Sequence, residues 1–203
     1  MRALILLNGE PYRGAIDGGG AVVYCCDGAY DWAKGRVKID VNLGDFDSLS
    51  YVPDPPPAEV YPTEKDYTDG ELALRRALDA GATEIVIYGG GGKREDHFVG
   101  NLHLLYQAAQ RSARAVMVTN HARIYAATGE FVLDGAKGKT VSVTPFGGEV
   151  HILESSGFYY PLPARFVYGA TLGISNVVTA DVARFRVQGT VLEIGRASCR
   201  ERV

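Results

Sequence analysis

A series of short apolar runs, most of them ending in a glycine turn or an acid, constrains the fold of this chain more than any other feature. Residues 3–7, 21–26, 41–43, 84–88 and 115–119 are apolar or nearly so. A strand with one wet face alternates apolar and polar residues. A run that is apolar throughout must be buried on both faces, as in a parallel sheet covered by helices. Helical patterns lie between the runs. Residues 29–34 form a short one. Residues 68–80 form a longer one, with Leu74, Ala77, Leu78 and Gly81 on one face and Thr68 and Glu71 spaced as a capping box. A third covers residues 96–110, with Phe98, Leu102, Leu105 and Ala109 at core-facing spacing. Pro53, Pro55, Pro56 and Pro57 mark an extended connection. Strand and helix in alternation predict an α/β domain built on a doubly wound, mainly parallel sheet.

Beyond about residue 125 the helical signals stop. Val141 and Val143 alternate with polar residues, as do Val150 and Ile152, and residues 183–188 alternate cleanly. Gln188-Gly189 is expected to turn a hairpin into residues 191–194. The expectation is therefore two domains: an α/β domain over residues 1–127 and a small all-β sandwich over 128–195. At about 65 residues the second is marginal for an independent core and should lean on the first or on a second subunit. From Gly195 onward no strand or helix pattern remains, and residues 196–203 are expected to be a non-native tail. Tyr159 and Tyr160, ahead of Pro161, are expected to pack inside the β domain, with a stacking surface as the alternative.

Composition closes off several classes. A chain that is 46% hydrophobic and 22% charged is neither disordered nor fibrous. A net charge of −3 argues against a general nucleic-acid binder. The apolar runs are too short for a membrane span or a signal peptide. Three cysteines, with Cys25 and Cys26 adjacent, are too few for a disulfide scaffold and point to the reducing cytoplasm.

In an α/β sheet, ligands bind beyond the carboxyl ends of the strands. Those ends carry Asn8-Gly9, Asp27-Gly28, Asp45-Phe46-Asp47-Ser48 and the loop Gly89, Gly90, Gly91 and Gly92. Lys65-Asp66-Tyr67-Thr68-Asp69 opens the first long helix. Asp45, Asp47, Asp66, Asp69 and Asp96 are thus gathered on one rim. Any one of them could be a turn former or helix cap. Five together repel: two charges about 4 Å apart cost about 4 kcal/mol at an effective dielectric near 20. A divalent cation removes that cost, and oxygen ligands without His or Cys favour Mg²⁺ over Zn²⁺. Mg²⁺ held this way commonly binds substrate phosphates. The four glycines, followed by Lys93 and Arg94, could cradle phosphate through backbone N–H groups or form a simple flexible turn. They match neither a P-loop, since Arg94 follows Lys93, nor the dinucleotide fingerprint. His97 and His103 lie on different helix faces and are not a metal pair.

Taken in order, these segments resemble the thiamine pyrophosphokinase family. The matching stretches are Asp27-Gly28-Ala29, Gly44-Asp45-Phe46-Asp47-Ser48, Glu64-Lys65-Asp66-Tyr67-Thr68-Asp69, residues 89–97 with Asn101-Leu102, Gly157-Phe158-Tyr159-Tyr160-Pro161-Leu162 and Gly173-Ile174-Ser175-Asn176. The resemblance implies an ATP-binding α/β domain, a β-sandwich, and a homodimer with thiamine bound between subunits. It implies that the thiamine hydroxyl attacks the β-phosphorus of ATP in line, giving thiamine diphosphate and AMP. Asp45, Asp47 and Asp69 would hold Mg²⁺, with Asp66 and Asp96 as further ligands or orienters of water. Either Asp69 or Asp96 would accept the hydroxyl proton. Asn8, Asp27, Gly28, the four glycines, Lys93 and Arg94 would hold ATP, and Ser175 and Asn176 would bind thiamine. Val177 stands where the family usually has Glu, so one polar group expected near thiamine is missing. Two alternatives stay open: a non-catalytic thiamine or nucleotide sensor, and another Mg²⁺-dependent nucleotide-using transferase.

Overall fold

A computed structural model describes residues 1–196. The expected non-native tail lies outside the described residues except for Arg196, which with Gly195 ends a strand. The chain divides into two units at Asn120/His121, earlier than the 127/128 boundary expected, because the first strand of the second unit already begins at Ala122.

The first unit contains β1 (Arg2–Leu6), β2 (Ala21–Cys26), α1 (Ala29–Ala33), β3 (Val41–Gly44), β4 (Ala58–Val60), α2 (Asp69–Asp79), β5 (Glu84–Tyr88), α3 (Glu95–Gln110) and β6 (Arg114–Val118). All six strands are parallel, in the order β6-β5-β1-β2-β3-β4. The chain builds outward from β1 on one side, returns through α2 to β5 and builds outward on the other. That reversal makes β1/β5 the topological switch point, where α/β sheets place their ligands. Ala3, Leu4, Ile5 and Leu6 are all fully buried, as an uninterrupted apolar run requires. β4 arises inside the proline-rich connection and is too short and polar to show in the sequence.

Helix starts follow local chemistry. Thr68 caps α2, its Oγ1 accepting from the Glu71 N–H at 3.2 Å. α3 begins at Glu95 with Arg94 as its N-cap, so Asp96 lies in the first turn. Its buried face is Leu104, Leu105 and Ala108, rotated from the expected one. Phe98 lies over Gly91 rather than in the core: a Cβ on Gly91 would be 3.3 Å from its ring. No helix of the described residues is long and apolar enough to cross a membrane.

The second unit is antiparallel: β7 (Ala122–Asp134), β8 (Thr140–Pro145), β9 (Val150–Ser156), β10 (Arg165–Phe166), β11 (Asn176–Val177) and β12 (Val182–Arg196). The hairpin expected at Gln188-Gly189 does not form. β12 runs straight through, paired with β7 along its length with a register shift between Val187 and Val191. Its other edge pairs first with β9 and then with β8. Gly189, at φ 102°, sits at that irregularity. Val143, Val150, Phe166, Phe185 and Val191 pack together as the core, with the Phe131 and Phe185 rings stacked at 5.4 Å.

Tyr159 and Tyr160, expected to be packed, are instead 65% and 62% exposed, their rings edge-to-face at 4.8 Å. Glu193 in β12 is buried opposite Tyr125 and Val143, and its Oε1 has no hydrogen-bond partner among the described residues. Burial alone pushes its carboxyl up to about 8.

Candidate active site

A cleft of about 670 Å³ opens at the carboxyl ends of β1, β2, β3 and β5. Each strand delivers its next residues there: Asn8 and Gly9 after β1, Asp27 after β2, Asp45, Asp47 and Ser48 after β3, and Gly89, Gly90 and Gly91 after β5. Lys65, Asp66 and Asp69 come from the start of α2 and the loop before it.

Three carboxylates converge. Asp27, Asp45 and Asp69 each bring one oxygen within 4.8 Å of the other two. The backbone makes the approach possible. Asp27 adopts φ 47°, in the left-handed region that Asp tolerates better than most residues. Gly44, at φ 151°, carries no Cβ; one there would lie 3.1 Å from the Asp27 Cα and Cβ. The ends of β2 and β3 can therefore close up and bring Asp27 to Asp45. Asp47, predicted as the third ligand, is exposed on the cleft wall, and Asp27, predicted for the nucleotide, takes the place beside Asp45 and Asp69. Phe46 between the two aspartates has φ 56°, which breaks the two-residue alternation that would aim both side chains one way.

The three carboxylates are poorly satisfied. Asp27 Oδ2 accepts from the Ser48 hydroxyl, while Asp27 Oδ1 is buried without a partner among the described residues. Lys65 Nζ is 3.1 Å from Asp69 Oδ1, an ion-pair approach without hydrogen-bond alignment, and 3.7 Å from Asp45 Oδ2. Burial raises the Asp69 carboxyl above its usual range. Lys65 opposes the rise, and the charges of Asp45 and Asp27 add to it. A hard divalent cation fits this set: the donors are all oxygen, they face one another, and a buried oxygen lacks a partner. Lys65 and Ser48 received no role from the sequence. Both stand in motifs quoted for the family resemblance, and only their neighbours in space reveal what they touch.

The glycine loop is pinned. The Gly89 carbonyl accepts from Gly9 N–H at 2.8 Å, that of Gly91 from Glu10 N–H at 2.6 Å, and that of Gly90 from Asn101 Nδ2 at 2.8 Å. Side chains have no room: a Cβ on Gly9 would meet the Gly89 oxygen at 2.2 Å, and one on Gly90 the Met117 sulfur at 2.2 Å. Gly92 turns away, against Glu10, and does not line the cleft. Lys93 Nζ donates to Asn8 Oδ1 at 3.2 Å, and Asn8 Nδ2 donates to Ser48 Oγ at 3.0 Å. A continuous hydrogen-bonded row thus links Lys93, Asn8, Ser48 and Asp27.

Asp96 is not among the residues lining the cleft. Arg94 Nε and the His97 N–H both donate to it, and these bonds, Arg94 first, hold its carboxyl down at about 2. In the second unit, Asn176 spends its amide on backbone. Oδ1 accepts from Tyr160 and Val177 N–H, and Nδ2 donates to the Tyr160 carbonyl. Ser175 is exposed, at φ 62°.

Comparison with known proteins gives one answer. The family model for the thiamin pyrophosphokinase catalytic domain matches residues 4–117, and that for the thiamin pyrophosphokinase vitamin B1 binding domain matches residues 130–192. Thiamine pyrophosphokinase from Bacillus subtilis is 36% identical over 144 residues, covering 66% of this chain and 67% of that one. Among solved structures, thiamine pyrophosphokinase from Bacillus subtilis superposes with a TM-score of 0.84 at 26% identity, covering 98% of this chain and 100% of that one. Thiamin pyrophosphokinase from Geobacillus thermodenitrificans gives 0.80 at 27% identity, with 98% of each chain covered. The Candida albicans enzyme, at 15% identity, gives 0.76 with 97% and 90% covered and attests the fold alone.

Proposed function

The chain belongs to the thiamin pyrophosphokinase family of diphosphotransferases, and on that premise we propose how its residues carry the reaction: ATP bound in the cleft of the first unit gives its pyrophosphoryl group to the hydroxyl of thiamine, releasing AMP. The observation that carries this reading is the convergence of Asp27, Asp45 and Asp69, with a buried, unpartnered oxygen on Asp27.

These three carboxylates would hold the divalent cation, with Mg²⁺ favoured by the all-oxygen donor set. Such an ion, when bound, neutralises charge on the polyphosphate. The chain supplies the rest. The glycine loop offers a rigid surface free of side chains, to which a phosphate chain can approach closely. Lys93, held by Asn8, brings a cation to it, and Arg94 lines the same cleft. Phosphoryl transfer depends mainly on positioning and charge stabilisation, and a pinned loop serves both. Of the two proton acceptors the sequence leaves open, Asp69 is the better supported. It lines the cleft, whereas Asp96 lies outside it and is tied to Arg94. Asp66 and Asp47, both exposed on the wall, are assigned to bound water.

Thiamine binding is assigned to the second unit. Ser175 is retained as a direct contact. Tyr159 and Tyr160 are added, since two exposed rings suit a flat cationic ligand. Asn176 acts through Tyr160. We also read the protein as a cytoplasmic homodimer, on two buried free thiols at Cys25 and Cys26 and on the small second unit; light scattering tests the dimer.

Incubation with ATP, thiamine and Mg²⁺ tests the reaction. AMP formed only when thiamine is present supports it. ADP would indicate a different phosphoryl transfer, and binding without turnover a sensor.

A further inference from the structure

Extending the reading of the cleft as a divalent-cation site, on which it rests, we propose that Lys65 is the resident counter-ion of the three carboxylates and competes with the cation for the place between Asp45 and Asp69. Its ammonium lies 3.1 Å from Asp69 Oδ1 and 3.7 Å from Asp45 Oδ2, and donates to the Pro62 carbonyl at 3.2 Å. The side chain is only 16% exposed, so the charge is committed to the cleft rather than to solvent.

An ammonium is a single positive charge with three donors. Here it faces two carboxylates and one carbonyl, and among the described residues Asp27 Oδ1 in the same group has no hydrogen-bond partner. Three carboxylates thus share one positive charge, which reaches only two of them, while Asp27 is met by the neutral Ser48 hydroxyl. That holds Asp45 and Asp69 together while no cation is bound, and leaves a deficit that a divalent ion meets better. Lys65 must give way for all three oxygens to serve as ligands. Its stem remains anchored in the cleft wall, where polyphosphate is the anion available to the displaced ammonium.

Two consequences follow. Lys65 weakens cation binding to the nucleotide-free protein. Nucleotide relieves that penalty by giving the ammonium a new partner, so cation and nucleotide strengthen each other's binding, reciprocally.

The test is direct titration with Mn²⁺, read by electron paramagnetic resonance in the absence of nucleotide. Lys65→Met is expected to bind Mn²⁺ about tenfold more tightly than wild type and to lose most of the enhancement by ATP. Lys65→Arg, which keeps the charge, should bind no more tightly than wild type. Equal or weaker binding by Lys65→Met overturns the proposal. A second readout needs no variant. Acetylation of Lys65 by a limiting reagent, followed by mass spectrometry, should rise several-fold when Mn²⁺ is added to wild type, and unchanged labelling overturns the proposal. If wild type and Lys65→Met both bind no Mn²⁺, the metal reading itself fails. If both bind equally, only the role of Lys65 does.

Discussion

Asn176 grips Tyr160 at both of its backbone polar groups: the Tyr160 N–H donates to Asn176 Oδ1 at 3.0 Å, and Asn176 Nδ2 donates to the Tyr160 carbonyl at 2.7 Å. The amide is buried and has nothing left to aim at a ligand except its remaining N–H. The contribution to thiamine binding proposed for it would therefore run through the loop it fixes. Asn176→Ala should leave buried backbone groups unpaired and cost about 1–3 kcal/mol in urea unfolding. Freed from that grip, Tyr159 and Tyr160 should bind thiamine less well. We expect the KM for thiamine to rise about tenfold, with the KM for ATP unchanged. Equal changes in both constants would place Asn176 in general stability alone.

The carboxylates should rank by geometry. Asp27 and Asp45 face Asp69 within 4.8 Å, whereas Asp47 stands outside that group. Asp27→Asn and Asp45→Asn each remove an anionic ligand from the proposed cation site, weakening the ion that would balance phosphate charge, and each should lower kcat by about a hundredfold or more. Asp47→Asn should cost about tenfold or less. Steady-state AMP formation checks the order. A larger loss from Asp47→Asn than from Asp27→Asn would mean that a different carboxylate set works.

The positions of Asp27 and Asp47 show where the sequence runs out. The strand-end rule brings four of the five expected rim acids to the cleft, with Asp96 outside it, because apolar runs and the Thr68 cap are local signals. Which acid turns inward depends on φ 56° at Phe46 and on the close approach at Gly44, and neither is encoded in residue spacing. The second unit was less legible for a similar reason. Alternation over residues 183–188 followed by Gly189 suits both a hairpin and a bulged continuous strand. The choice falls to β8 and β9, which pair end to end along one edge of β12, an arrangement set by distant chain. Tyr159 and Tyr160 suit either packing or a stacking surface by sequence, and only the structure, which leaves both exposed, separates the two.

Gly28 tests the row that supports Asp27. A Cβ there would sit 2.4 Å from Asn8 Nδ2 and 2.5 Å from Ser48 Oγ. Both atoms would have to move, and Ser48 would withdraw from the Asp27 carboxylate it donates to. Gly28→Ala should lower stability by about 1–3 kcal/mol through overpacking. Turnover should fall further than the small loss of folded protein explains, since Asp27 and Lys93 are both tied to the displaced pair. Thermal unfolding and kinetics on the same preparation separate the two effects, and wild-type turnover would show that the row has no bearing on the site.

Glu193 sets the pH response of the second unit. Burial raises its carboxyl to about 8 in the folded chain, while the unfolded chain titrates in the ordinary range. At pH 4 both states carry the proton and the site costs nothing. As pH rises, the unfolded chain releases its proton first and the folded chain keeps it, so folding stability declines until about pH 8 and then levels off. The full loss is on the order of 5 kcal/mol. Glu193→Gln keeps the shape and removes the titration. In urea unfolding it should match wild type near pH 4, exceed it increasingly toward pH 8, and show a flatter profile between. Parallel profiles for the two proteins would mean that Glu193 finds a charge partner on folding and ionises normally.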